Sequence, residues 1–153
     1  MSKKVLAIVL VALFVSSCSA VKKSEKAIKE EVKKEEMRQE NVETVYFDFD
    51  QAVLKNDAQK ILNKKVLPVV KTDELLQIKI EGHCDERGTN AYNRILGKKR
   101  AEAVKKYLIE NGVKSSRIKT VSYGKTKPVD MGHNEEAWAK NRRAVTISAA
   151  KKR

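Results

Sequence analysis

The stretch Leu76-Gln77-Ile78-Lys79-Ile80-Glu81-Gly82-His83-Cys84-Asp85-Glu86-Arg87-Gly88 sets the organisation of this chain. Leu76, Ile78 and Ile80 alternate with Gln77, Lys79 and Glu81, the two-residue period of a half-buried strand, and Gly82 ends the alternation. A polar loop then runs between Gly82 and Gly88 and feeds a helix expected from about Asn90 to Asn111, closed by Gly112 as a left-handed cap. Loops at strand ends, carried by a rigid sheet, are favoured places for binding residues.

Working outward, Val45, Phe47 and Phe49 alternate with Tyr46, Asp48 and Asp50 and predict an opening strand, with the domain beginning near Val42. A helix is expected from about Asp57, with Ala58, Ile61, Leu62 and Val66 on one side and Pro68 kinking or shortening its end. Ile118 to Tyr123 and Ala144 to Ala149 read as strands, with a short helix over Glu135 to Lys140 between them. The predicted order is strand, helix, strand, helix, strand, short helix, strand. That order predicts an α+β fold, a small mixed four-stranded sheet with helices packed on one face.

On a wheel of about 100° per residue, the long helix puts Leu96, Ala103, Val104, Tyr107 and Leu108 on one arc. Lys98, Lys99, Glu102, Lys105, Lys106 and Glu110 take the other. Arg100 falls near the middle of the apolar arc, with Asn93 along the same line. A guanidinium facing the core must be paired or must open into a pocket, because burying it alone is very costly. A carboxylate in bidentate geometry is the expected partner. Two readings fit the residues alone: a salt bridge to Asp85 or Glu86 that ties the helix to the loop, or a ligand site.

The N-terminus carries an address. Lys3 and Lys4 precede an eleven-residue apolar run, Val5 to Val15, followed by Ser16-Ser17-Cys18. The run is short of the roughly 20 apolar residues that cross a bilayer and has the form of a signal peptide. Residues 1–17 are therefore expected to be removed, leaving 136 residues, enough for one domain. Residues 18–41 read as a tether of alternating Lys and Glu runs, and 42–153 as the folded domain. From Val21 to Asn41 the tether spans roughly 30 Å as a helix or about 70 Å extended.

The chain carries a formal charge of +13, and without Lys3 and Lys4 there remain 31 basic against 20 acidic residues, or +11. Such a surplus invites a nucleic-acid reading. Export, scarce aromatics and mixed-sign charge argue instead for a solvated surface that tolerates anionic polymers. The chain has two cysteines, so lipid on Cys18 leaves Cys84 without a partner and no disulfide framework. Cys84 is expected to be a small, inert, partly buried side chain. His83, Cys84 and Asp85 are poorly placed as a metal site, since adjacent residues rarely converge on one ion.

Taken together, Gly82-His83-Cys84-Asp85-Glu86-Arg87-Gly88-Thr89, Tyr92-Asn93, Leu96-Gly97-Lys98-Lys99-Arg100-Ala101, Val121-Ser122-Tyr123-Gly124 and Asn141-Arg142-Arg143-Ala144-Val145 resemble the peptidoglycan-associated lipoproteins of the OmpA-like family. Tyr46-Phe47-Asp48-Phe49-Asp50 resembles the family's opening strand, so the likeness covers about Val45 to Ile147. Val15-Ser16-Ser17-Cys18 is similar to a bacterial lipobox, which implies cleavage before an acylated Cys18. Ser19 in place of Asp implies the outer membrane of a Gram-negative cell, with the domain in the periplasm.

The family resemblance implies non-covalent, non-catalytic binding of the peptidoglycan stem peptide, chiefly its diaminopimelate. It further implies a place in the Tol-Pal system of envelope integrity and cell division, with TolB and other Tol proteins as partners. By position, Asp85 would accept the ligand's ammonium and Arg100 would hold its carboxylate. Phe49 and Asp50 would line the pocket, with Asn93, Leu96 and Arg142 as supporting residues. A rival of another class is an envelope hydrolase, or a metal-assisted wall-modifying enzyme, that works through His83, Asp85 and Glu86. Within the family, a flagellar-stator or porin anchor is disfavoured by the lipobox and the lack of a spanning helix or barrel strands.

Overall fold

The computed structural model describes residues 39–149. The expected leader, Cys18 and most of the tether lie outside the described residues.

Four strands form one mixed sheet in the order β1-β4-β2-β3: β1 (Gln39–Tyr46), β2 (Gln77–His83), β3 (Ile118–Gly124) and β4 (Arg143–Ala149). β4 runs antiparallel to both β1 and β2, while β2 and β3 are parallel. The parallel pair needs a crossover, and the chain supplies it as the long helix α3 (Asn90–Glu110). α1 (Asn56–Ile61) and α2 (Leu67–Thr72) follow β1, and α4 (Glu135–Asn141) precedes β4. The architecture is the α+β arrangement that the sequence predicts.

The core lies between the sheet and its helices. Ile78 and Ile80 of β2 meet Ala101, Val104 and Leu108 of α3 and Leu62, Val66 and Val70 of the α1–α2 segment, all essentially solvent-free. Each such aliphatic side chain contributes about 1.5–3 kcal/mol. α3 lies unusually close to β2, because Gly82 and Gly97 face each other. A methyl group on Gly82 would sit only 1.8 Å from the Gly97 carbonyl oxygen.

Two expectations need correction. The opening strand begins at Gln39, inside the stretch read as tether, and ends at Tyr46 rather than running through Phe49. Phe47 still donates its N–H to the Arg142 carbonyl at 2.9 Å. Beyond it the chain turns away, and Asp50 adopts a left-handed φ of 57°. Pro68 does not shorten the helix, which continues to Thr72. A π-helical turn over Leu62–Val66 precedes it and changes the carbonyl spacing ahead of a residue that has no N–H to donate. Arg117, which the sequence reading did not single out, is buried in the 3₁₀ turn Ser115–Arg117. It donates to the carbonyls of Val70, Asp73 and Leu76 at 2.9, 2.7 and 2.9 Å, satisfying the end of α2 and the approach to β2.

Candidate functional site

The loop after β2 and the first turns of α3 meet the exit of β1 at one end of the sheet. Gly88, with φ 86°, makes the turn that a side chain would resist. Thr89 then caps α3, its hydroxyl accepting the Tyr92 N–H at 3.1 Å. Between these segments lies a cleft of about 190 Å³, lined by Phe49, Asp50, Cys84, Asp85, Arg87, Gly88, Tyr92, Asn93, Leu96 and Arg100. Six of the seven predicted site residues therefore share one cleft. Arg142 does not line it; it stands behind Asp85 and borders a neighbouring cavity.

Arg100 is the largest fully buried side chain among the described residues, at 1% exposure. Neither carboxylate proposed for it is its partner. Its Nε donates to the Gln51 carbonyl at 2.8 Å, Nη1 to the His83 carbonyl at 2.8 Å, and Nη2 to the Asp48 carbonyl at 3.1 Å. The guanidinium thus ties the β1 exit to the end of β2. Burial lowers its pKa from the ordinary arginine value, partly offset by the nearby Cys84 and Asp85. Three of the five N–H groups of an arginine are used this way, leaving two.

Asp85, at 4% exposure, is held by Arg87 instead. Arg87 Nη2 donates to one carboxylate oxygen at 2.7 Å, and its Nε and backbone N–H donate to the other at 3.3 and 3.1 Å. Arg142 Nη1 lies 3.5 Å from the same carboxylate. Burial opposes the charge of Asp85, but the Arg87 hydrogen bonds and the neighbouring Arg142 bring its pKa below the usual aspartate value. The Arg87 guanidinium is itself stacked between Phe49 and Trp138, at 4.0 and 4.2 Å from the two ring centres. Phe49 is 57% exposed.

The remaining predicted residues divide by role. Asn93 is buried and donates to the carbonyls of Arg87 and Thr89 at 2.7 and 3.2 Å, so it shapes the loop. Leu96 forms an apolar wall of the cleft. Asp50 accepts from the Tyr92 hydroxyl. Arg142 donates to the Phe47 carbonyl at 3.1 Å and to Glu135 at 2.6 Å, joining β1, α4 and the Asp85 loop. Sequence reasoning gave Arg87 and Tyr92 no role of their own. For Arg87 the local signal was its place two residues after Asp85 in the same loop; for Tyr92, no periodic pattern links it to Asp50.

His83, Asp85 and Glu86 diverge, contrary to the premise of the hydrolase reading. Glu86 meets His133 at 2.8 Å and the Trp138 Nε1 at 2.9 Å on the surface. His83 points to the other face of the sheet, stacked on Tyr123 with ring centres 5.5 Å apart. It is 2% exposed, and burial together with Arg143 pushes its pKa down to about 4 against a weaker pull from Glu81. Cys84 is buried, donates to the Asn93 carbonyl at 3.3 Å, and burial pushes its thiol up to about 11, which leaves it unreactive near neutral pH. Among the described residues no three of His, Cys, Asp or Glu converge as metal ligands would.

A small mixed sheet backed by helices, with opposite charges set in a cleft at the loop end, defines a domain of the α+β class. Its relatives narrow that class. The model of the OmpA family matches residues 46–142. The peptidoglycan-associated lipoprotein of Pseudomonas aeruginosa is 42% identical over 102 residues, which are 67% of this chain and 60% of that protein. That of Pasteurella multocida is 43% identical over 107 residues, 70% of this chain and 71% of the other. The crystal structure of the Burkholderia pseudomallei peptidoglycan-associated lipoprotein superposes with a TM-score of 0.66 at 44% identity, covering 69% of this chain and 88% of that one. The chain belongs to the OmpA family. It spans about three fifths of the Pseudomonas aeruginosa relative's length.

Proposed function

We propose that this chain is an outer-membrane lipoprotein whose domain holds peptidoglycan without covalent attachment, through the diaminopimelate of an uncrosslinked stem peptide. The observation that carries this reading is that Asp85 and Arg100, opposite in charge and almost wholly buried, line one small cleft. The free end of diaminopimelate presents an ammonium and a carboxylate within a few ångströms. Asp85 accepts from the ammonium, and Arg100 donates to the carboxylate through its two remaining N–H groups, both as charge-assisted hydrogen bonds. Arg87 holds Asp85 in the free protein, so the ammonium takes one carboxylate oxygen in its place. Phe49 and Leu96 flank the aliphatic chain, Asp50 borders the pocket, and Asn93 and Arg142 hold the surrounding loops.

The relatives' own names, peptidoglycan-associated lipoproteins, support the reading. In the proposed division, residues 1–17 are the leader, Cys18 carries lipid in the outer membrane, and the tether lets the periplasmic domain reach the wall. By family likeness, TolB and other Tol proteins are the partners we expect, in envelope integrity and cell division.

Incubation with labelled peptidoglycan separates binding from hydrolysis. Sedimentation of the protein with intact wall is the expected result; release of soluble fragments would overturn it. Changing Cys18 to Ser should leave wall binding intact and remove the protein from the membrane fraction.

A further inference from the structure

Positive charge is unevenly spread over the domain. Residues 56–72 and 90–110, the helix layer, hold ten Lys and Arg against three Asp and Glu, a formal +7. The rest of 39–149 holds eleven against twelve, a formal −1. Within residues 39–149 all of the excess positive charge therefore belongs to one layer.

α3 concentrates this charge on its outer side. At about 100° per residue, Ile95, Lys98, Lys99, Glu102, Lys105, Lys106 and Ile109 occupy an arc of about 120°, opposite Arg100, Val104 and Leu108. Glu102, the acid within the arc, accepts a 2.6 Å hydrogen bond from Thr120 of β3. Lys106 has Glu110 at 3.8 Å, while Lys98, Lys99 and Lys105 form no ion pair among the described residues. Ile95 and Ile109, within the arc at its two ends along the helix axis, are 58% and 38% exposed. The Tyr107 hydroxyl donates to Asn63 at 3.0 Å, joining α3 to the π-helical turn on the side away from the arc.

We propose that this outer face of the helix layer docks on an anionic, phosphate-bearing bilayer. Lysines without ion-pair partners on flexible stems are attracted to lipid phosphates and lose little internal bonding when they meet them. The isoleucines set among the lysines suit the boundary between headgroups and acyl chains. A nucleic-acid partner is less suited, because the cations within the arc are all lysines, Arg94 at its border is a single arginine, and the bordering Tyr92 is tied to Asp50. The cleft faces a different way: Asn93, Leu96 and Arg100 leave α3 on the side away from the lysine arc. The choice of a bilayer as occupant rests on the proposed lipid anchorage, whereas the charge asymmetry does not.

The test uses the full lipidated chain on vesicles of phosphatidylcholine, with and without phosphatidylglycerol. Lysines are acetylated briefly and the modified sites are read by mass spectrometry. Labelling of Lys98, Lys99 and Lys105 should slow several-fold on the anionic vesicles and recover at high salt. Lys119 and Lys127, outside the helix layer, should label equally on both. The double variant Lys98→Glu with Lys105→Glu should abolish the slowing at Lys99 while retaining wall binding. Equal labelling on the two vesicle types, equal protection of every lysine, or protection by duplex DNA but not by vesicles would overturn the proposal. Failure to float on neutral vesicles would count against the lipid anchor, and anion-dependent flotation with Lys98, Lys99 and Lys105 protected would still support the face.

Discussion

Arg100 joins two stretches of backbone, the turn after β1 and the end of β2, through three carbonyls. Replacing it with Ala removes the donor from the carbonyls of Asp48, Gln51 and His83 together. Three hydrogen bonds from a charged donor, partly replaced by water, amount to about 3 kcal/mol, so urea unfolding of Arg100→Ala should show a clear loss of stability. Asp85→Ala is the cleaner probe of binding, because its partners Arg87 and Arg142 keep other contacts. His83 supplies a pH prediction. Its folded pKa, about 4, lies below the usual histidine value of 6.5, so the unfolded chain binds more protons between them. The stabilisation from keeping His83 neutral is full above pH 6.5 and is lost as pH falls toward 4, by about 3 kcal/mol. His83→Phe, which keeps a ring against Tyr123, should flatten that part of the stability-versus-pH curve; an unchanged slope would contradict the assignment. The sequence made the inward position of Arg100 legible through helical spacing, yet its partners were not. Loop carbonyls leave no trace in side-chain periodicity, and the Asp85–Arg87 pair has no fixed period either.

At the scale of elements, the closeness of α3 to β2 depends on Gly82 and Gly97. Gly82→Ala places a methyl group against the Gly97 carbonyl, and neither backbone can turn aside as a flexible side chain would. Overpacking of this kind costs about 1–3 kcal/mol, and it displaces the segment that carries Leu96 and Arg100. Thermal unfolding should therefore fall, and wall binding should fall with it; a variant as stable as the wild type would contradict the close packing. The four strands and the long helix were legible because their periods are long and clean, and Gly112 marked the end of α3. The early end of β1 was not, because the alternation of Phe47 with Phe49 continues through a turn set by the backbone at Asp50. Nor was the π-helical turn before Pro68, since one extra residue per turn hardly alters a short apolar pattern.

On the proposed function the whole molecule has two grips, lipid on Cys18 as one and the charged cleft as the other. Six of the seven residues expected at the site were brought together by folds of chain up to half the domain apart, which family likeness anticipated and spacing alone could not. The central claim is that Asp85 and Arg100 together recognise the zwitterionic end of the stem peptide. Calorimetric titration with a diaminopimelate-containing stem peptide tests it most directly, using wild type, Asp85→Ala and a control peptide with lysine in place of diaminopimelate. The account predicts heat of binding for the wild type alone with the diaminopimelate peptide, and at least a tenfold loss both for Asp85→Ala, with its fold intact by circular dichroism, and for the lysine peptide, which lacks the carboxylate. Equal affinity of wild type and Asp85→Ala for the diaminopimelate peptide would contradict it.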